Sequence, residues 1–212
     1  MSKPKTITLA FTGASGMPYG MRLLEMLLRS NHTVYLLYSK VAQIVAQQEM
    51  DLPLPSQPKE AESFFKHHFQ IPDASLQVFG REAWFSPVAS GTNAADAMII
   101  CPCTMGTLAA VSTGMSQNLI ERAADVMLKE QRQLILVPRE TPLSTLHLEN
   151  MLRLSRMGAV ILPANPGFYH HPQTLQQIID FIVARILDHL KIDHQLMPRW
   201  GEQNLSHSDD QC

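Results

Sequence analysis

An apolar run, a glycine-rich turn and an amphipathic segment open the chain, and this order restricts the folds available to it. Thr6–Phe11 is a short apolar run typical of a buried strand. Gly13-Ala14-Ser15-Gly16 follows directly, and leucines then recur at helical spacing over residues 19–28. A strand, a glycine turn and a helix in this order begin an α/β nucleotide-binding unit. The opening therefore predicts a parallel sheet covered by helices.

The same alternation of strands and helices continues to the end of the chain. Further strands are predicted at 33–38, 76–79, 97–101, 134–137 and 159–162. Further helices are predicted at 40–48, 60–69, 104–111, 118–130, 145–156 and 175–190. We therefore predict an α/β protein with one doubly wound, mostly parallel sheet. Residues 1–205 are expected to form a single domain, and residues 206–212 a flexible tail.

Composition and charge exclude several classes of function. The chain has 212 residues, 45% of them apolar, and a formal net charge of -2, which fits one globular domain with a substantial core. Because no basic face is evident, we expect no nucleic-acid partner. The longest apolar runs are far too short to span a bilayer, and no signal-peptide pattern precedes the first strand. We expect a cytoplasmic protein that does not bind membranes.

The cysteines and histidines form no recognisable metal-binding pattern. Only Pro102 separates Cys101 from Cys103, whereas zinc knuckles and redox pairs use a two-residue spacer. Both cysteines lie at the end of a predicted buried strand, so we interpret them as packed thiols. The nine histidines contain no HExxH pattern. No bound metal is therefore expected.

Polar residues are concentrated directly after the predicted strands. In open α/β sheets, ligands bind outside the carboxyl ends of the strands. The segments at these positions are 13–15, 39–40, 102–104, 138–140 and 163–169. The turn at 13–16 could present N–H groups to an anion at a helix start, or could be only a tight turn. The whole set nevertheless predicts a polar ligand site, because structural loops do not require this concentration of polar groups.

Two further segments each allow a functional and a structural interpretation. Arg122 and Lys129 are seven residues apart on a predicted helix, so they lie nearly above one another and could bind a phosphate. Alternatively, this is a solvated face on which nearby carboxylates pair with both cations. The proline-bounded loop at 163–170 presents Phe168 and Tyr169, either to a planar or apolar ligand or to the protein core.

Taken together, the motifs resemble the UbiX flavin prenyltransferases over residues 5–203. Each motif is weak alone, but their order along the chain is specific. The matching segments are Gly13-Ala14-Ser15-Gly16 with Tyr19-Gly20, Ser39-Lys40, Ala89-Ser90-Gly91, Cys101-Pro102-Cys103, Glu121-Arg122-Ala123-Ala124-Asp125 with Lys129-Glu130, Pro138-Arg139-Glu140-Thr141-Pro142, Pro166-Gly167-Phe168-Tyr169-His170 and Pro198-Arg199-Trp200-Gly201.

The resemblance implies a fold, a reaction and a set of partners. It implies a flavodoxin-like or Rossmann-like flavoprotein fold in a homo-oligomer, expected to be a dodecamer. It also implies an enzyme that joins the dimethylallyl group of dimethylallyl monophosphate to N5 and C6 of reduced FMN, without a metal. The prenylated FMN would serve UbiD-type decarboxylases, including the one in ubiquinone biosynthesis.

The matching positions also imply roles for individual residues. Those implied to bind FMN are Gly13, Ala14, Ser15, Ser39, Ser90, Gly91, Thr104, Thr107 and Arg139. Those implied to bind the prenyl donor are Arg122, Lys129, Glu140, Tyr169 and Arg185, with aromatic walls from Trp84 and Trp200. Those implied to take part in catalysis are Ser15, Glu49, Lys129, Glu140 and Tyr169. Glu140 is the carboxylate expected to accept or relay the C6 proton, a role that the departing phosphate could share.

Two other functions remain as alternatives. Flavin-dependent cysteine decarboxylases share the opening turn and a segment similar to Ala89–Asn93, but their Pro-x-Met-Asn-x-x-Met-Trp loop is absent from this sequence. A non-catalytic FMN carrier would need only one phosphate site. The additional cations Arg122, Lys129 and Arg185 favour two phosphate sites over one.

Overall fold

Six parallel strands form one sheet in the computed structural model of the chain, which describes residues 3–197. The strands are β1 (Thr6–Phe11), β2 (Thr33–Tyr38), β3 (Leu76–Val78), β4 (Ala97–Cys103), β5 (Gln133–Pro138) and β6 (Val160–Ile161). The α-helices of this region are α1 (Met17–Arg29), α2 (Lys40–Met50), α3 (Pro58–His68), α4 (Met105–Ser112), α5 (Leu119–Lys129), α6 (Thr145–Arg156) and α7 (Leu175–Leu190). Two short 3-10 turns lie at Pro87–Ala89 and Gly91–Asn93.

The described residues fall into two compact units, residues 3–164 and residues 165–197. The first unit contains the whole sheet and helices α1 to α6, and the second contains α7. Within the second unit, Thr174 and Gln177 form a capping box at the start of α7, and Phe181, Ile186 and Leu187 are among its buried residues. The tail predicted at 206–212 lies outside the described residues.

The strand order is β3-β2-β1-β4-β5-β6, which is the Rossmann order. Along the chain, the sheet grows from β1 to β2 and β3 on one side, and then from β4 to β6 on the other. This reversal places a crevice between the carboxyl ends of β1 and β4. The prediction of an α/β protein with a doubly wound parallel sheet is confirmed.

The central strands are covered on both faces, which explains their continuous apolar sequences. All seven residues of β4 are buried. On one face of the sheet, Met98 and Ile100 belong to a core cluster that includes Leu108 of α4 and Ala124 of α5. On the other face, α1 packs closely against β4 and β1.

Most predicted boundaries agree with the structure to within two residues. The helices predicted at 145–156 and 175–190 have those same limits. The last strand is shorter than predicted, and β4 extends two residues further, to Cys103. Ser39 caps α2 by accepting a hydrogen bond from the Ala42 N–H at 3.1 Å, as its position after β2 predicts.

Cys101 and Cys103 are both buried and neither is in a disulfide. Burial raises the pKa of the Cys103 thiol to about 12 and also raises that of Cys101. Both therefore stay protonated at neutral pH, and the prediction of packed thiols is confirmed. Among residues 3–197, no cluster of three potential ligands could hold a metal ion, and no helix is both long and apolar enough to cross a membrane.

Gly20 permits the close approach of α1 to the sheet. A Cβ atom at this position would collide with the Cys101 carbonyl oxygen and would lie 2.9 Å from Cε1 of Phe11. The helix backbone therefore packs directly against the backbone of β4. Gly106 in α4 offers a contrast, because a Cβ atom there would have no other atom within 4 Å.

We predict that Gly20→Ala lowers the free energy of unfolding by about 1–2 kcal/mol. Alanine improves helix propensity by about 1 kcal/mol, but overpacking against a backbone oxygen costs more. Urea denaturation at fixed protein concentration measures the change. The matched control Gly106→Ala should be neutral or stabilising, by up to about 1 kcal/mol. A Gly20→Ala protein as stable as the wild type would contradict this packing argument.

Candidate functional site

One buried hydroxyl joins the two strand ends that border the crevice. The Thr12 hydroxyl donates to the Pro102 carbonyl oxygen at 2.8 Å and accepts from the Thr104 N–H at 2.8 Å. The Thr12 N–H also donates to the Pro102 oxygen, at 3.2 Å. Thr12 is only 2% exposed. These bonds hold the segment after β1 against the start of α4.

A cavity of about 310 Å³ opens at this junction. Four of the residues predicted to bind flavin line it: Gly13 after β1, Ser39 after β2, and Thr104 and Thr107 at the start of α4. Its volume lies at the lower end of the range of roughly 300–1,000 Å³ for small-molecule sites. The structure therefore brings together residues from three strand ends around one ligand-sized space.

The hydroxyl groups of the cavity also begin two helices. The Thr104 hydroxyl accepts from the Thr107 N–H at 3.1 Å and donates to the Thr107 hydroxyl at 2.9 Å. Ser39 caps α2 in the same way. Because α2 and α4 both start at the cavity wall, the positive ends of two helix dipoles are directed toward it.

Gly13 is required where α2 meets the turn after β1. A Cβ atom there would collide with Cγ1 of Val41 and would lie 2.6 Å from its Cβ. Any side chain would therefore push the first turn of α2 away from the cavity. This contact gives Gly13 a structural reason to be glycine, besides its predicted place against the flavin.

Glu49 occupies the N-terminus of α1. Its carboxylate accepts hydrogen bonds from the Gly16 N–H at 3.0 Å and from the Met17 N–H at 2.8 Å. The backbone donors at this helix start are thus already bound to an anionic side chain of the chain itself. Of the two interpretations of the glycine turn, the structure favours a tight turn whose helix-start donors are not available to a ligand anion.

Arg139 connects the end of β5 to the turn after β1. Its Nε donates to the Ser15 carbonyl oxygen at 3.3 Å, across 124 positions of sequence. Ala14, within this turn, is 7% exposed. Glu140 is exposed, and its carboxylate accepts from the Thr141 N–H at 3.2 Å. Two residues predicted to bind FMN, Ser15 and Arg139, are therefore in direct contact.

A second group of predicted residues meets along α5. Arg122 Nε donates to the Ala89 carbonyl oxygen at 3.1 Å. A Cβ atom on Gly91 would lie 2.8 Å from Lys129 Nζ and would overlap the Glu130 carboxylate. The two 3-10 turns therefore run along α5, and they bring Ser90 and Gly91 beside the two cations that could bind a phosphate.

Both cations of α5 have carboxylate neighbours. Arg122 pairs with Asp125 at 3.0 Å, and Lys129 pairs with Glu130. The hydrogen bond from Lys129 holds the pKa of Glu130 below its usual value. Glu121 behaves differently, because it is 9% exposed and accepts from the Gln117 N–H and the Asn118 amide. Since partly exposed ion pairs contribute little stability, an anionic ligand can compete for both cations.

The aromatic residues of the candidate site are exposed. The Trp84 side chain is 40% exposed, and its indole N–H donates to the Glu82 carboxylate at 3.3 Å. Phe85 beside it is fully exposed. Trp200 lies outside the described residues. The loop 80–86 thus presents two large rings on the surface of the chain.

Tyr169 and Arg185 belong to the unit formed by residues 165–197. The Tyr169 ring makes an edge contact with Phe181, with ring centres 5.8 Å apart. A Cβ atom on Gly167 would lie 2.9 Å from Cε1 of Tyr169, so glycine is needed beneath this ring. Arg185 pairs with Asp188 at 2.8 Å.

The cavity also contains residues that the sequence patterns did not single out for the site. They are Thr12, Val41, Arg81, Gly106, Asn118, Ile120 and Glu121, whereas Lys40, which also lines the cavity, belongs to the predicted strand-end segment 39–40. Thr12 was detectable in principle, because it is adjacent to a predicted site residue at a strand end. Arg81 and Asn118 were not, because their place in the cavity depends on how the segment after β3 and the start of α5 pack together.

The chain matches the family model described as Flavoprotein over residues 1–187. It is 55% identical to a protein of Pseudomonas aeruginosa named flavin prenyltransferase UbiX, over 97% of this chain and 98% of that one. A solved structure of AnUbiX in complex with FMN and dimethylallyl pyrophosphate is 40% identical, with a TM-score of 0.83, and covers 94% of this chain and 98% of its own.

Two further solved structures distinguish relatives of the same family from proteins that share only the fold. A dodecameric FMN-dependent UbiX-like decarboxylase of Escherichia coli O157:H7 is 39% identical, with a TM-score of 0.79, over 92% of this chain and 98% of its own. The FMN-dependent cysteine decarboxylase TvaF is 16% identical, with a TM-score of 0.53, over 75% of this chain and 90% of its own, and so shares only the fold. This chain belongs to the Flavoprotein family and, within it, to the UbiX flavin prenyltransferases.

Proposed function

We propose that this enzyme transfers the dimethylallyl group of dimethylallyl monophosphate to N5 and C6 of reduced FMN. The observation that carries the proposal is the presence of two separate polar groups in residues 3–164. One is the hydroxyl-lined cavity at the strand ends, and the other is the pair Arg122 and Lys129 beside Ser90 and Gly91. Two phosphate-bearing substrates require two such groups.

The residues at the strand ends fit FMN. Ser39, Thr104 and Thr107 supply hydroxyl groups of the kind that hydrogen-bond ribityl and phosphate oxygens. Gly13 lets the backbone come close to a bound molecule. The AnUbiX structure, which shares 40% of its sequence with this chain, contains FMN and dimethylallyl pyrophosphate. When bound, the reduced flavin supplies the nucleophilic nitrogen and carbon of the reaction.

The cations of α5 are suited to the phosphate of the prenyl donor. Breaking the allylic C–O bond leaves a phosphate that carries more negative charge than the ester did. Arg122 and Lys129 would stabilise that charge as it develops, which lowers the barrier more than it stabilises the bound ester. The family resemblance also assigns Arg185 and the Tyr169 hydroxyl to the prenyl phosphate, and we propose the same roles for them here. Tyr169 would donate a hydrogen bond to a phosphate oxygen.

The remaining predicted residues would control water and protons. An allyl cation must be shielded from water, and the exposed ring of Trp84 is proposed to form part of that wall together with Trp200, which lies outside the described residues. Glu140 is proposed to accept or relay the proton lost from C6, because its carboxylate is exposed beside Arg139. Ser15 and Glu49 would position the substrates. Ser15 would act through its contact with Arg139, and Glu49 would act by holding the start of α1 in place.

We also propose that the protein assembles as a dodecamer in the cytoplasm and supplies prenylated FMN to a UbiD-type decarboxylase in ubiquinone biosynthesis. A self-contact is supported by α6 and the residue that follows it, because Leu146, Leu152 and Met157 are all at least half exposed. They line a groove of about 720 Å³ together with Glu149 and Arg153. Exposed apolar side chains interspersed with opposite charges suit a contact between two copies of the same helix.

The test of the function is the mass of the flavin after reaction. Protein incubated without oxygen with reduced FMN and dimethylallyl monophosphate should yield FMN heavier by one dimethylallyl-derived unit. A parallel incubation with dimethylallyl pyrophosphate decides which donor is used. Unmodified FMN from folded protein that binds both ligands would overturn the transferase and support an FMN carrier. Release of carbon dioxide from a peptide cysteine would support the decarboxylase.

We predict that Glu140→Gln slows adduct formation about a hundredfold or more, because general acid–base catalysis contributes at least that much. The affinity for FMN should not change, since the amide keeps the size of the side chain. Single-turnover kinetics measures the rate, and fluorescence titration measures the affinity. Glu60→Gln, at an exposed position on α3, is the control. Unchanged turnover in Glu140→Gln would remove this carboxylate from the mechanism.

We predict that Leu146→Glu breaks the assembly into smaller particles, because it introduces an unpaired charge into an apolar contact. Sedimentation velocity measures the particle size. Leu146→Met preserves the apolar surface and should assemble as the wild type does. A full-sized Leu146→Glu particle would exclude α6 from the subunit contact.

A further inference from the structure

Two cations line the strand-end cavity without forming an ion pair. Lys40 is the first residue of α2, and Arg81 lies in the turn after β3; both side chains border the cavity of about 310 Å³. They also border a smaller neighbouring cavity of about 130 Å³, so they stand where the two spaces meet. Within residues 3–197, neither side chain is hydrogen-bonded or ion-paired to a carboxylate. Two positive charges thus border a ligand-sized space without compensation.

The acidic residue in the same cavity wall does not neutralise them. Both carboxylate oxygens of Glu121 accept local hydrogen bonds, one from the Gln117 N–H at 2.8 Å and one from the Asn118 amide at 2.6 Å. Glu121 is 9% exposed and turned into the start of α5. An anion that neutralises Lys40 and Arg81 must therefore come from outside this wall.

The helices that start at the cavity add to the same positive field. The first turns of α2 and α4 contain no acidic residue. Lys40 even places a cation at the positive end of the α2 dipole, where an anion is normally favoured. A local conflict of this kind is expected at a binding site whose ligand supplies the missing charge.

The third helix near the strand ends presents the opposite charge. At the start of α1, Glu49 occupies the N–H groups of Gly16 and Met17. A ligand phosphate placed there would meet a carboxylate that already holds the available donors. The electrostatic field therefore favours a bound anion at the starts of α2 and α4, and it disfavours a bound anion at the start of α1.

We propose that Lys40 and Arg81 bind the phosphate of the flavin and so fix the direction in which FMN lies across the strand ends. The proposal rests on the proposed function, and it gives these two residues a role apart from Arg122 and Lys129, which are assigned to the prenyl phosphate. It also implies that the enzyme binds FMN more tightly than riboflavin. Only a flavin with a phosphate neutralises both cations.

The test compares two flavins that differ only in the phosphate. FMN and riboflavin are titrated by fluorescence into the assembled protein and into Lys40→Gln, Arg81→Gln and the double variant. Each single substitution should weaken FMN binding on the order of tenfold, because a charge-assisted hydrogen bond is lost. Riboflavin affinity should stay within about twofold of the wild type. Lys3→Gln, an exposed position near the N-terminus, is the control and should change neither affinity.

Each result has a distinct meaning. Equal losses for FMN and riboflavin would show that the cations only support the cavity wall, and would overturn the proposal. The same conclusion follows if FMN affinity is unchanged while the affinity for dimethylallyl monophosphate falls, because the cations would then serve the other phosphate. Failure of the wild-type protein to bind FMN would overturn both this proposal and the proposed function. Intact FMN binding with no loss in the variants would overturn this proposal alone.

Discussion

The hydrogen bonds of Thr12 hold together the two strand ends on which the whole site depends. In a Rossmann order, the chain leaves β1 and β4 toward opposite faces of the sheet, and the register between these two strands ends at Ala10 and Ile100. The Thr12 side chain joins the two segments beyond that point, because its hydroxyl donates to the Pro102 carbonyl oxygen and accepts from the Thr104 N–H. Because it is buried, these bonds do not compete with water. The positions of Gly13 and of the α4 start follow from this junction.

The charges around the strand ends are distributed unequally among three helices. The start of α1 is neutralised from within the chain by Glu49, whereas the starts of α2 and α4 keep their positive potential. Helices with the same backbone dipole can therefore serve different purposes, depending on which side chain reaches their first turn. One orders the turn after β1, and the other two remain available to an anionic ligand. A phosphate can then occupy the end of the crevice at which the wall carboxylate, Glu121, already accepts hydrogen bonds from Gln117 and Asn118.

The fold was predictable from the sequence because its signals are local. Apolar runs covered on both faces, glycine at the first turn and Ser39 after β2 each specify their own element, and the parallel order follows from their alternation. The cavity hydroxyls of Ser39 and Thr104 were predictable for the same reason, since each follows a strand, whereas Thr107 lies within α4 and was indicated by the family resemblance. Arg81 was not, because its place depends on the path of an irregular segment. The role of Glu49 at α1 was also hidden, because it joins two helices whose packing no local pattern specifies.

The resistance of the two β4 thiols to oxidation depends on the folding stability of the sheet. A thiol reacts with peroxide or an electrophile as the thiolate, and burial keeps both Cys101 and Cys103 protonated and out of contact with solvent. They can be oxidised only when the central strand opens, and central strands open at close to the full cost of unfolding. An enzyme that handles reduced flavin, which produces peroxide in air, therefore keeps these thiols intact for as long as its sheet stays closed.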